Sequence, residues 1–266
     1  LTVETILQGE GWDKGWGQLL EMMGNAAAVT ERSFGVPDGV NNGQYGIGIV
    51  IDFFGLASKF SGLPVDFVYP SMTAVVPANI ALLAGGKNPD EAKKFMAYSM
   101  SSEGQQLLFD PKISRLPILP YSQLKAPAGY PDPQEVAKRA KVQFDSTLSE
   151  ARYQVVTSLF DQMITFRLKE LQAATKAIHE ADKALKAKPN ARGGELLRQA
   201  RSLAYTPLVG AENVKNEQFL ELFRKSRRDV EVSKQLSGQE QLWADKARDN
   251  YARAAQLAGE ARGLAK

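Results

Sequence analysis

VYPSMTAVVPANIALLAGGKNPDEAKKFMAYSMSSEGQQ, residues 68–106, is the stretch whose reading decides the fold. It opens as a strand and then carries a marked helix start. In Asn88-Pro89-Asp90-Glu91 a capping residue precedes Pro at the first helical position. Acids follow at the next two, suiting the free amides and the positive end of the helix dipole. Behind that cap Ala92, Phe95, Met96 and Ser99 recur at helical spacing, and Ser101-Ser102-Glu103 opens another helix after a short break. A strand running into a capped helix is the pattern of an α/β domain.

Working outward, residues 61–64, Ser-Gly-Leu-Pro, read as a turn and residues 65–69 as a strand. Upstream, residues 1–11 read as a helix ended by Gly9 and Gly11. Trp12, Trp16, Leu19, Leu20 and Met23 mark a second amphipathic helix stopped at Gly24-Asn25. Its two tryptophans suit a core or a ligand-stacking face. Residues 26–29 and 45–51 are expected as strands. Downstream, residues 107–131 form a Pro-rich irregular loop, and after Pro133 the chain changes to long helices. Phe144, Leu148, Ala151, Val155, Leu159, Met163 and Phe166 follow spacings of three and four, with a second stripe through Val156, Phe160, Ile164, Leu168 and Leu171. So wide an apolar face marks a buried helix. Further helices are expected over residues 195–204, 216–236 and 239–263, the last Ala-rich and resembling an exposed arm.

Composition bounds the function classes. The 266 residues, 44% hydrophobic and 24% charged, are enough for one or two domains with a sizeable core. No apolar run reaches the roughly 18 residues of a membrane span. Lys and Arg number 33 against 30 Asp and Glu, a net charge of +3 that argues against a nucleic-acid partner. The densest basic cluster, Arg224 to Arg228, is surrounded by Glu221, Asp229 and Glu231 and reads as a solvated helix face. With no cysteine, disulfides, thiolate nucleophiles and Cys-based metal sites are excluded.

The chemistry-bearing positions are few. The one histidine, His179, stands beside Glu180 on the polar side of a helix, and neither HExxH nor a P-loop is present. Gly46-Ile47-Gly48 lacks the remainder of a dinucleotide fingerprint. No enzyme activity, cofactor or metal is therefore indicated. Asp52 stands out: it follows Ile47, Ile49, Val50 and Ile51 and precedes Phe53-Phe54-Gly55, where a strand would enter a helix. Ligands of open α/β sheets collect at that edge. Asp52 can equally cap the helix. Ser71, Thr73 and the Tyr69 phenol offer oxygen-binding groups, and the same alternation suits a solvated strand face.

Tyr69-Pro70, Val76-Pro77, Asn88 to Phe95 and Ser102 to Gln105, in that order, resemble the substrate-binding proteins of ABC importers, in the subgroup related to ferric-ion-binding proteins. Over residues 1–185 the resemblance is nearest to the branch that binds phosphorylated small molecules. VPDGVNNGQYGIGIVIDFFG and FDQMITFRLKEL look most like its hexose-phosphate and phosphoglycerate members. Ferric-ion binders use adjacent tyrosines, and no Tyr-Tyr pair occurs here. The resemblance implies the C-terminal part of a type II periplasmic-binding α/β fold with two lobes, followed by a long-helix C-terminal region. Residues 1–68 would belong to the second lobe, 69–133 to a crossover strand and part of the first, and 134–266 to a helical region with an extended arm.

It further implies that an N-terminal portion of the same protein precedes Leu1. Asp52, Phe53, Tyr69, Ser71, Met72 and Thr73 would line an interlobe cleft holding a hexose phosphate, phosphoglycerate or phosphonate, with helix N-termini on the phosphate. Partners would be ABC permease subunits and a membrane sensor, in the periplasm. A ferric-ion or other metal carrier and a helical partner-binding protein are the alternatives.

Overall fold

The computed structural model describes residues 1–225 and 228–265. Among the described residues twelve α-helices follow one another: α1 Thr2–Glu10, α2 Trp12–Gly24, α3 Gly35–Asn41, α4 Asp52–Phe60, α5 Pro89–Ser99, α6 Ser102–Gln106, α7 Pro133–Arg139, α8 Ser146–Met163, α9 Leu168–Ala187, α10 Ala191–Tyr205, α11 Glu217–Arg224 and α12 Val230–Gly263. Short 3-10 turns cover Leu107–Phe109, Tyr121–Gln123, Thr165–Arg167 and Asn213–Lys215. Two compact units result, one of residues 1–29 with 145–266 and one of residues 30–144. Of the basic cluster at residues 224–228, Ser226 and Arg227 lie outside the described residues.

The first unit is built wholly of helices around α12, which packs along α9 and α10 and against α8, while α2 packs on α9 and α10. The Ala-rich segment expected as an exposed arm is thus a central element. Along α12, Ala247, Tyr251, Ala254, Ala258 and Ala261 are all buried at spacings of three and four. Such small side chains let neighbouring helices approach closely, so a face that looks poor in apolar bulk still excludes water. A single helix spans Val230–Gly263, where two segments broken near residue 238 were expected.

Trp16 is wholly enclosed and Trp12 nearly so, their rings edge to face at 5.8 Å, which makes the tryptophan pair core. Trp12 Nε1 donates to the Val209 carbonyl over 2.7 Å, and Tyr251 Oη donates to that of Met163 over 2.8 Å. Gly24 closes α2 for a packing reason: a Cβ there would lie 2.0 Å from Thr175 Oγ1 on α9.

Beneath the first helix lies a buried ion pair that no local sequence pattern reveals. Arg152 of α8 donates from Nε and Nη2 to both carboxylate oxygens of Glu4, each over 2.8 Å. Gln8 clamps the start of α8 beside it. Its Oε1 accepts from the Asp145 amide over 2.7 Å, and its Nε2 donates to the Asp145 carbonyl over 3.0 Å. Asp145 in turn caps α8 by accepting from the Leu148 amide at 2.9 Å.

The second unit corrects the α/β expectation. Among the described residues none is in a β-strand, so the structure is not a two-lobe α/β fold. The segments expected as strands, residues 26–29, 45–51 and 65–69, are extended or bent but carry no ladder. Ile47, Val68 and Leu83 are exposed to 91%, 76% and 79%. Alternating apolar residues favour a pleated surface, yet a strand exists only where a neighbour takes up its amides and carbonyls. The backbone bond from the Val142 amide to the Thr73 carbonyl, 3.3 Å, joins two separate extended segments without starting a sheet.

The starts of α5 and α6 fall where the sequence places them. Pro89 opens α5 behind Asn88, although the Asn88 side chain makes no capping bond. Ser101 Oγ accepts from the Gly104 amide at 3.1 Å and caps α6. The core of this unit is small: Leu56, Phe109 and Tyr130, flanked by Phe60, Phe67, Leu116, Tyr121, Leu124 and Ala126. The Pro-rich loop supplies most of it.

Candidate ligand-binding site

Ile51 enters α4 in an extended conformation, which leaves Asp52 at the first helical position with its carboxylate at the helix N-terminus. One oxygen, Oδ1, accepts from the following Phe53 amide over 2.8 Å. The other, Oδ2, accepts from the Tyr69 hydroxyl over 3.0 Å. Ile51 and not Asp52 holds the N-cap position, and the Asp52 carboxylate accepts from an amide of the first turn and from a phenol 17 residues on.

The approach of the two segments depends on Gly55. A Cβ at that position would meet the Phe67 ring at 2.1 Å, so only glycine lets residues 67–69 run so close over α4. Phe67 then meets Tyr69 edge to face, with ring centroids 4.9 Å apart and planes at 87°. Burial, and after it the charge and hydrogen bond of Asp52, push the Tyr69 hydroxyl well above its ordinary value of 10.0. Tyr69 therefore stays a proton donor to the Asp52 carboxylate.

Further aromatic contacts occur in the same unit. Phe53 and Phe54 lie with centroids 4.5 Å apart, and Tyr130 packs on Phe60 at 4.6 Å and on Phe109 at 5.0 Å. Burial raises the Tyr130 hydroxyl to about 12, with the neighbouring Ser114 hydroxyl acting against that shift and the charge of Asp52 adding to it. The Arg115 guanidinium stands 3.8 Å above the centroid of the Phe53 ring.

Of the six residues singled out in the sequence, the structure brings Asp52, Phe53 and Tyr69 together. Ser71 is exposed, and Met72 and Thr73 are half-buried. Thr73 is tied through its carbonyl to Val142, and none of the three side chains hydrogen-bonds to the Asp52–Tyr69 pair among the described residues. Arg115 was missed. It lies in the Pro-rich loop, far along the chain from Asp52, and no local periodicity marks it.

His179 lies in the other unit, half-exposed, with Nε2 3.8 Å from Glu21 Oε1. Among the described residues no three His, Cys, Asp or Glu side chains gather as a metal site, and no helix is long and apolar enough to cross a membrane.

Residues 2–106, which include Asp52, Phe53 and Tyr69, match the family model of the bacterial extracellular solute-binding protein. This part of the chain is thus similar to proteins that bind a solute. Across 187 residues, 70% of the chain, it is 35% identical to the phosphoglycerate transport regulatory protein PgtC of Salmonella typhimurium strain LT2, and equally to PgtC of Salmonella typhi. The aligned part is 46% of each relative, so the chain spans about half the length of the curated relatives it matches. No solved structure matches. These matches are to a solute-binding family and to phosphoglycerate transport regulatory proteins, and none is to a ferric-ion-binding protein.

Proposed function

We propose that this chain is part of a periplasmic solute-binding component of an ABC importer. Its ligand is a small phosphorylated metabolite, phosphoglycerate ahead of hexose phosphates and phosphonates. Permease subunits are its transport partners, and a membrane sensor reads its loaded state. The observation that carries this reading is the Asp52–Tyr69 pair, set among aromatic rings inside the residues that match the solute-binding model. The relatives' printed names, which speak of phosphoglycerate transport regulation, support the choice of ligand.

The chemistry is that of binding without catalysis. The Asp52 carboxylate, oriented by the Tyr69 hydroxyl, accepts a hydrogen bond from a ligand hydroxyl, and the free lone pair of the Tyr69 oxygen accepts another. Phe53 supplies an apolar wall, and Ser71, Met72 and Thr73 complete the surroundings in this proposal. Loading alters the protein only so far as the ligand binds one conformation better than another.

The test is the thermal midpoint of the intact protein against 3-phosphoglycerate, glucose 6-phosphate, aminoethylphosphonate, inorganic phosphate and ferric citrate. A ligand at a hundred times its Kd stabilises by about 2.7 kcal/mol, which a melting curve resolves readily. The expected result is a concentration-dependent rise with 3-phosphoglycerate that Asp52→Ala diminishes. A rise with ferric citrate alone, or none with any organophosphate, overturns the proposal.

A further inference from the structure

We propose that Arg115 is the anion-recognising residue of the Asp52–Tyr69 site, taking the phosphate or carboxylate of the ligand while Asp52 takes a hydroxyl. This rests on the organophosphate reading above and deepens it by naming the group that meets the charge.

Four observations converge on Arg115. Its guanidinium lies 3.8 Å over the ring of Phe53, the residue whose amide binds Asp52. Stacking on one face leaves the N–H edges of the planar group available, and those edges match the two oxygens of a carboxylate or phosphate. Among the described residues Arg115 forms no salt bridge, and the contact of its guanidinium is with the face of the Phe53 ring. Asp52 is engaged by Tyr69 instead.

The backbone of Arg115 is held while its head group is open. Its amide donates to the Leu108 carbonyl over 2.9 Å, and its carbonyl accepts from Tyr130 Oη at 3.4 Å. Tyr130 packs with Leu56 of α4 in one core, so the loop bearing Arg115 and the helix bearing Asp52 share a single anchor.

Directly before Arg115, Ser114 is fully enclosed and adopts φ of 47°, alone among the described non-glycine residues in the left-handed region. Its amide donates to the Asp110 carbonyl over 2.8 Å and its hydroxyl to that of Pro111 over 3.0 Å. A non-glycine residue held in this region costs on the order of 1–3 kcal/mol and persists only where its surroundings enforce it. Here the enforced turn sets the direction in which the chain presents Arg115. Arg115 also lies beyond residues 2–106, so the family match does not reach it.

The experiment is titration calorimetry of the intact protein with 3-phosphoglycerate at two ionic strengths, for wild type, Arg115→Gln and Arg115→Lys. Arg115→Gln is expected to weaken binding on the order of 10- to 100-fold, the loss of a charge-assisted hydrogen bond. It should also flatten the salt dependence. Arg115→Lys keeps the charge but not the fork, and should recover part of the affinity and the full salt dependence.

Should Arg115→Gln misfold, the lysine variant carries the test alone: undiminished affinity overturns the inference. Wild-type binding that Arg115→Gln leaves unchanged overturns the inference while the organophosphate reading stands. Wild type that binds no 3-phosphoglycerate overturns both.

Discussion

Tyr69 donates its phenolic proton to Asp52 Oδ2 across 3.0 Å, tying an extended segment to the first turn of α4. The bond is half-buried, so its removal leaves a carboxylate oxygen that water reaches only in part. Tyr69→Phe should therefore lower the stability of the unliganded protein by about 1 kcal/mol. It should also reduce the midpoint rise given by 3-phosphoglycerate, because the bond that orients Asp52 is lost. Urea unfolding and ligand-dependent melting check the two effects separately.

The same burial makes an alkaline prediction. A tyrosine whose folded pKa lies above its unfolded value of 10.0 favours the folded state fully below pH 10, and that contribution is lost as pH rises through the folded value. For Tyr130, raised to about 12, the window runs from pH 10 to about 12. Tyr69 is raised further, by burial first and then by Asp52. Absorbance titration of the tyrosinate band should show late-titrating tyrosines. One of these should vanish in Tyr130→Phe, and the alkaline fall in stability should become shallower.

In the helical unit, the buried Glu4–Arg152 pair makes a prediction of opposite kind. Arg152→Met strands a carboxylate away from water and should destabilise by about 3–5 kcal/mol. A double variant, Glu4→Leu with Arg152→Met, removes both charges and should recover most of that loss. Denaturant unfolding of the two variants beside wild type distinguishes a stranded charge from a pair that is itself strongly favourable.

What the sequence made legible was local. The starts of α5 and α6 were readable because Pro89 and Ser101 act within three or four residues of themselves, and α2 because its apolar residues share one face. Asp52 was readable because its neighbours on either side change character. The central position of α12 was not, since alanines at helical spacing look the same on a solvated face as in a close helix contact. The sheet was misread because alternation records a preference for pleated surface, while a ladder requires a partner segment. Arg115 and the Glu4–Arg152 pair were invisible for one reason: each depends on residues that only folding brings together, 148 positions apart in the second case.

The closeness of Phe67 to α4 gives the last prediction. A Cβ at position 55 would lie 2.1 Å from Cδ2 of Phe67, so Gly55→Ala must displace that ring. Phe67 contacts Tyr69 edge to face at 4.9 Å, and the displacement passes on to the Tyr69–Asp52 hydrogen bond. Overpacking of this kind costs about 1–3 kcal/mol. Gly62→Ala is the control, because Gly62 has φ of 81° with open space around it. Its substitution strains the backbone by about 1–2 kcal/mol without pushing on the site. Both variants should melt earlier than wild type, but only Gly55→Ala should lose part of the stabilisation by 3-phosphoglycerate. Equal loss in the two would show that general destabilisation, and not the path through Phe67, governs ligand binding at Asp52.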